Sequence, residues 1–134
     1  MKSSRLDGYF IPNSHLDREW GLDYQQTRKL TVDFLDALLR IFEQVPEYQF
    51  LLDSQTVPLE DYLEVRPENR EKLQQAVRQE RLSIGPWYTA PDGCCLRGES
   101  IVRNLLMGHR VAKDFGPVMK VGYTPFGFGQ ISQL

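Results

Sequence analysis

The sequence has 134 residues, room for one domain and too few for two. Its hydrophobic share of 41% and charged share of 25% are ordinary for a soluble globular protein, and a net charge of −2 with no basic patch argues against a nucleic-acid partner. The longest apolar stretches are a few residues, so nothing is expected to span a membrane, and the polar residues 1–8 lack the apolar core of a secretory signal, which points to a cytoplasmic location.

Taken in chain order, the first apolar run, residues 9–11, predicts a short strand cut off by Pro12, which has no N–H to donate. A polar loop follows over 13–23. Residues 24–44 predict a helix, with Leu30, Phe34, Leu35, Leu38, Leu39 and Phe42 forming one buried stripe and Pro46 ending it. Residues 48–52 predict a second strand, running into Asp53-Ser54-Gln55-Thr56, and 58–63 a helical turn. A helix is predicted over 67–80, with Pro67 in its first turn and Leu73 and Val77 inward. Residues 82–87 form a third predicted strand, and 88–98 a loop rich in Gly, Pro and Cys. A third long helix is expected over 99–115, with Ile101, Leu105, Ala112 and Phe115 on one face and Gly116-Pro117 as its stop, then a fourth strand at 119–123 and a glycine-rich tail.

Alternating strands and helices imply an α/β fold with a parallel sheet, and such sheets gather functional groups at the C-terminal ends of their strands. Those ends carry His15 and Asp17, Asp53 and Gln55, then Trp87, Tyr88 and Asp92, and last the tail. In an extended segment residues two apart point the same way, so His15 and Asp17 can offer an imidazole and a carboxylate to one metal ion, zinc suiting them best. Trp20, Trp87 and Tyr88 offer flat apolar faces of the kind that pack on sugar rings, or simply core. Asp53 is either a strand-end hydrogen-bonding residue or a helix N-cap. His109, inside the third helix, reads as a packing or surface residue. Adjacent Cys94 and Cys95 read as two reduced thiols in a loop, since a ring joining neighbours is strained.

Several blocks in order resemble one known family. They are Ser14-His15-Leu16-Asp17-Arg18-Glu19-Trp20, Phe50-Leu51-Leu52-Asp53-Ser54-Gln55-Thr56, Leu59-Glu60-Asp61-Tyr62-Leu63-Glu64-Val65-Arg66-Pro67-Glu68, Ile84-Gly85-Pro86-Trp87-Tyr88, Pro91-Asp92, Gly98-Glu99-Ser100-Ile101-Val102-Arg103-Asn104-Leu105-Leu106 and Phe128-Gly129-Gln130-Ile131-Ser132-Gln133-Leu134. Together they resemble the N-terminal part of the catalytic domain of glycoside hydrolase family 38 α-mannosidases, in the bacterial-type branch, over nearly the whole chain. The resemblance implies a piece of a distorted (β/α) barrel. It also implies retaining, zinc-dependent removal of α-linked mannose from an oligosaccharide through a covalent glycosyl-enzyme. His15 and Asp17 fall on two of the zinc ligands, and Trp20, Asp53, Trp87, Tyr88 and Asp92 are the candidate substrate-binding residues.

The sequence also departs from that pattern. Phe126 stands where the family has its nucleophilic aspartate, and a phenyl ring can neither attack a sugar carbon nor bind zinc. Ser54 replaces a usual glycine. The acid/base carboxylate and the last metal ligand of the family lie beyond Leu134. The expectation is a family member inactive as this isolated chain; the rival readings are a non-catalytic carbohydrate-binding or subunit-interaction module, completed by a complementary C-terminal chain, and an unrelated zinc site using Cys94 or Cys95.

Overall fold

The computed structural model describes residues 6–124; Phe126 and the other tail residues of the family pattern lie outside it. Helix α1, Tyr24–Gln44, opens on a capping box. The Gln26 N–H donates to Asp23 Oδ1 at 2.9 Å, and the Asp23 N–H donates to Gln26 Oε1 at 3.1 Å. Its buried face is Thr31, Val32, Leu35, Leu38, Leu39 and Phe42. Leu30, expected in that stripe, is exposed. The face lies slightly further round the helix, with Val32 filling the core and Phe34 packing half-buried on Phe50.

Strand β1, Phe50–Leu51, is followed by α2, Val57–Leu63. The helix expected from Pro67 begins as a 3-10 turn, Pro67–Asn69, and becomes α3 at Arg70–Arg78, burying Leu73, Ala76 and Val77. Strand β2, Leu82–Ser83, then precedes α4, Gly98–Lys113. The result is an α/β fold in which β1 and β2 pair in parallel, Phe50 with Leu82 and Leu51 with Ser83. Single parallel bridges join Asn13 to Leu51 and Gln55 to Trp87.

Two predicted strands are not strands here. Residues 9–11 are exposed, and pairing starts only at the Pro12 carbonyl, which accepts from the Leu51 N–H at 2.9 Å. Proline can offer a ladder nothing but its carbonyl. Residues 119–123 approach the chain just past β2, where the Met119 N–H donates to the Ile84 carbonyl at 3.0 Å. The Ser83 carbonyl turns toward Leu52 and the next carbonyl turns away, so this segment lies on the far side of β2 from β1. Four chain segments thus lie side by side in sequence order. No helix among the described residues is long and apolar enough to cross a membrane.

The core beneath these segments is Leu35, Leu52, Leu59, Tyr62, Leu73, Leu82 and Ile84, with α1 packed on α2 and α3. Tyr62 is fully buried and needs partners for its hydroxyl. It donates to Asp36 Oδ1 and accepts from Asn69 Nδ2, both at 2.6 Å. Burial, then the Asp36 carboxylate, push this phenol well above its ordinary value. The fold therefore holds the neutral phenol, while the unfolded chain loses its proton near pH 10. Stability from this source is complete below about pH 10 and falls as pH rises beyond it. Thermal melts between pH 9 and 12 should show that decline, and Tyr62→Phe should flatten it while lowering the melting temperature at neutral pH. An equal slope in the variant would rule Tyr62 out as its source.

Candidate functional site

The loop carrying His15 and Asp17 is extended because Leu16 between them is fixed at both backbone groups. Its N–H donates to Asp53 Oδ2 at 3.0 Å, and its carbonyl accepts from Gln55 Nε2 at 3.1 Å. The flanking side chains consequently face together, with His15 Nε2 3.2 Å from Asp17 Oδ1. His15 Nδ1 lies 3.3 Å from Asp53 Oδ2 on the opposite edge of the ring. A cleft of about 240 Å³ is lined by His15, Leu16, Asp17, Arg18, Glu19, Gln55, Thr89 and Ala90. A wider groove of about 800 Å³ runs along α4, past Leu96, Leu106 and Met107, and its lining has no histidine or carboxylate. The histidine and the carboxylates line the smaller cleft.

Asp53 settles between its two expected roles. Helix α2 starts at Val57, so Asp53 is not its cap. It ends β1 in a left-handed conformation, φ 41°, with Ser54 following at φ 55°. That reversal turns its side chain under His15, where it is 0% exposed. Oδ2 accepts from Leu16 and, at 2.7 Å, from Gln55 Nε2; Oδ1 is buried without a hydrogen-bond partner among the described residues. Its carboxylate is thus turned into the protein, toward Leu16, Gln55 and His15.

Trp87 also faces inward. It is 3% exposed and its indole N–H donates to the Tyr123 carbonyl at 3.1 Å, so it is core. Tyr88 is half-buried; burial, then its hydrogen bond to Glu60, push the phenol up to about 12. Asp92 holds its own loop, accepting from the Cys94 N–H at 3.1 Å and from Cys95 Sγ at 3.3 Å. Both cysteines are exposed and reduced, as expected. Trp20 stands 89% exposed on the His15 loop, open to a ligand. His109 Nδ1 pairs with the Leu105 carbonyl of its own helix at 3.0 Å.

Sequence reasoning missed the clamp that holds this loop to the fold. Arg18 grips Asp61 of α2 with two prongs, Nε to Oδ2 at 2.8 Å and Nη2 to Oδ1 at 2.7 Å. The Tyr24 hydroxyl donates to Oδ1 at 3.0 Å, and the guanidinium lies 4.8 Å from the centre of the Tyr24 ring. Hydrogen bonding to Asp61 raises the Arg18 pKa further, so the clamp stays charged. The signal available was that Arg18 and Asp61 both sit in family-like blocks; nothing local pairs residues so far apart.

As a metal site the arrangement supplies half a shell. An imidazole nitrogen and a carboxylate oxygen on one side are donors zinc accepts. Asp53 cannot join them, because it faces the other ring nitrogen. Among the described residues no group of three or more His, Cys, Asp or Glu converges on a common point. His15 and Asp17 therefore fit two ligand positions and no more.

Functional groups of parallel α/β folds gather at the C-terminal ends of the strands, and similarity to known proteins identifies the class. The Glycosyl hydrolases family 38 N-terminal domain matches residues 5–134. A putative mannosylglycerate hydrolase of Halalkalibacterium halodurans is 39% identical over 94% of this chain and 15% of its own length. The alpha-mannosidase of Saccharomyces cerevisiae is 29% identical over 94% of this chain and 12% of its own. The crystal structure of an alpha-mannosidase from Enterococcus faecalis V583 superposes with a TM-score of 0.82 at 40% identity, covering 86% of this chain and 13% of that one. A second family 38 structure from Enterococcus faecalis gives 0.74 at 38% identity, covering 83% of this chain and 13% of that one. The chain belongs to glycosyl hydrolase family 38. It spans less than a sixth of the length of these relatives.

Proposed function

We propose that this chain supplies the metal-binding floor and part of the sugar platform of an α-mannoside hydrolase, as the N-terminal portion of a distorted (β/α) barrel. The observation that carries the proposal is the convergence of His15 Nε2 and Asp17 Oδ1, 3.2 Å apart at the mouth of the cleft. The relatives' names, mannosylglycerate hydrolase and alpha-mannosidase, have mannose in common, which supports a mannoside as the substrate class. Zinc, when bound, would polarise a sugar oxygen as a Lewis acid. This chain's own residues then divide the remaining work. His15 and Asp17 bind the ion, and exposed Trp20 offers its face to the sugar ring. Arg18 and Gln55 keep the loop in register. Retaining hydrolysis needs a nucleophilic carboxylate and an acid/base. With Phe126 at the nucleophile position, this chain binds without turning over on its own.

Zinc titration by calorimetry, paired with an aryl α-mannoside assay, tests the reading. Wild-type protein should bind zinc and release no phenol. His15→Ala should weaken zinc binding by at least about tenfold, since it removes a direct ligand. Cys94→Ser with Cys95→Ser should leave binding unchanged. Loss of zinc in the double cysteine variant would move the metal to the thiols, and turnover by the wild type would refute inactivity. Heat with methyl α-mannoside but no zinc binding would favour the second reading, a carbohydrate-binding module, for which the exposed Trp20 is the supporting observation.

A further inference from the structure

We infer that Asp53 is a positioning residue that holds the His15 ring with Nδ1 protonated and Nε2 presented to the cation that Asp17 faces. The inference rests on the reading of His15 and Asp17 as metal ligands and names what sets their geometry. Three observations carry it.

The first is that the ring lies between two carboxylates on opposite edges, Asp17 Oδ1 at 3.2 Å from Nε2 and Asp53 Oδ2 at 3.3 Å from Nδ1. A neutral imidazole has one donor nitrogen and one acceptor nitrogen. Both carboxylates are acceptors, but Asp53 is buried while Asp17 is 42% exposed and can turn to a cation, so Asp53 takes the Nδ1 proton and leaves the Nε2 lone pair on the Asp17 side, where a metal can share it. The second is that Asp53 cannot swing away. Its Oδ2 is fixed by the Leu16 N–H and by Gln55 Nε2, and Gln55 is held in turn by the Ala90 N–H, which donates to Oε1 at 2.9 Å.

The third observation is that the turn alone does not call for this residue. A fully buried carboxylate with one oxygen unpartnered among the described residues is costly. Its left-handed backbone, φ 41°, would suit asparagine or glycine without any charge. A metal ion bound to Nε2 makes Nδ1–H a stronger donor, and a carboxylate answers it better than an amide.

Long-range nitrogen-15 NMR of the histidine rings, recorded without metal at mildly alkaline pH, reads the tautomer directly. Wild-type His15 should show Nδ1–H. Asp53→Ala should lose that preference, and Asp53→Asn, which keeps an acceptor oxygen and tolerates the backbone, should largely restore it. Added zinc should shift His15 Nε2 in the wild type, with affinity about 10- to 100-fold weaker in Asp53→Ala. An Nε2–H tautomer in the wild type, or an unaltered tautomer in Asp53→Ala, overturns the inference. If Asp53→Ala does not fold, the wild-type tautomer alone decides. An Nδ1–H tautomer with no zinc response upholds the role of Asp53 and removes the metal reading instead.

Discussion

Gly108→Ala is expected to be among the most destabilising single changes in this chain. A Cβ at that position would lie 2.2 Å from the Pro86 oxygen, 2.4 Å from the Trp87 carbonyl carbon and 2.6 Å from the Tyr88 nitrogen. All three are backbone atoms, so no side chain can turn aside, and α4 must lift from the 86–89 segment. One turn earlier, Asn104 holds the same segment. Its Oδ1 accepts from the Tyr88 and Thr89 N–H groups at 2.7 and 3.0 Å, and its Nδ2 donates to the Thr89 carbonyl at 2.7 Å. Lifting the helix breaks these bonds together with the contact, so the cost should reach roughly 3 kcal/mol, the upper end for overpacking. Urea unfolding should show a lower midpoint at an unchanged slope. A change within about 0.5 kcal/mol would mean that α4 is not seated as described.

Arg18→Leu tests the clamp on the His15 loop. It leaves the buried Asp61 carboxylate with only the Tyr24 hydroxyl. Breaking a buried pair from one side costs about 3–5 kcal/mol when both charges are enclosed. The Arg18 side chain is 41% exposed, so solvent already shares its charge, and about 2–3 kcal/mol is expected. The more telling readout is local. Amide exchange should quicken over residues 14–22, including the Leu16 N–H, while α1 keeps its protection. Uniform loss of protection, or none, would show that Arg18 does not anchor this loop in particular.

Much of this architecture was legible because it rests on local rules. The limits of α1 follow from Asp23, Gln26 and Pro46, each of which acts within one turn. The pairing of His15 with Asp17 follows from the two-residue period of extended chain. What was not legible depends on partners far away in sequence. Leu30 fits a helical stripe as well as Val32 does, and only the position of α2 and β1 selects between them. The runs at 9–11 and 119–123 have strand composition, but a ladder also needs a neighbour with free backbone groups, and Pro12 limits one of them. Asp53 and Trp87 follow β1 and β2 and are buried, which composition does not reveal, because whether a residue past a strand faces the cleft or the core is set by backbone turns. The two left-handed residues after β1 are such a turn, and nothing in Asp53-Ser54 taken alone announces them. The partnership of Arg18 with Asp61 spans 43 residues and lies on no periodic pattern.

Gln55 joins the ends of three chain segments through one side chain, its Nε2 reaching Leu16 and Asp53 and its Oε1 reaching Ala90. An amide has a hydrogen-bearing end and an oxygen end, and this junction uses them in one sense only. Glutamate has the same shape but would set a second negative charge against Asp53 and leave the Leu16 carbonyl with no hydrogen to accept. The junction thus distinguishes two residues of nearly identical outline. Ala90, with no functional group of its own, takes part because its backbone N–H fixes which way round the amide sits. Many side chains could serve at position 90, but proline could not, and the disturbance it caused would surface at His15, on another loop.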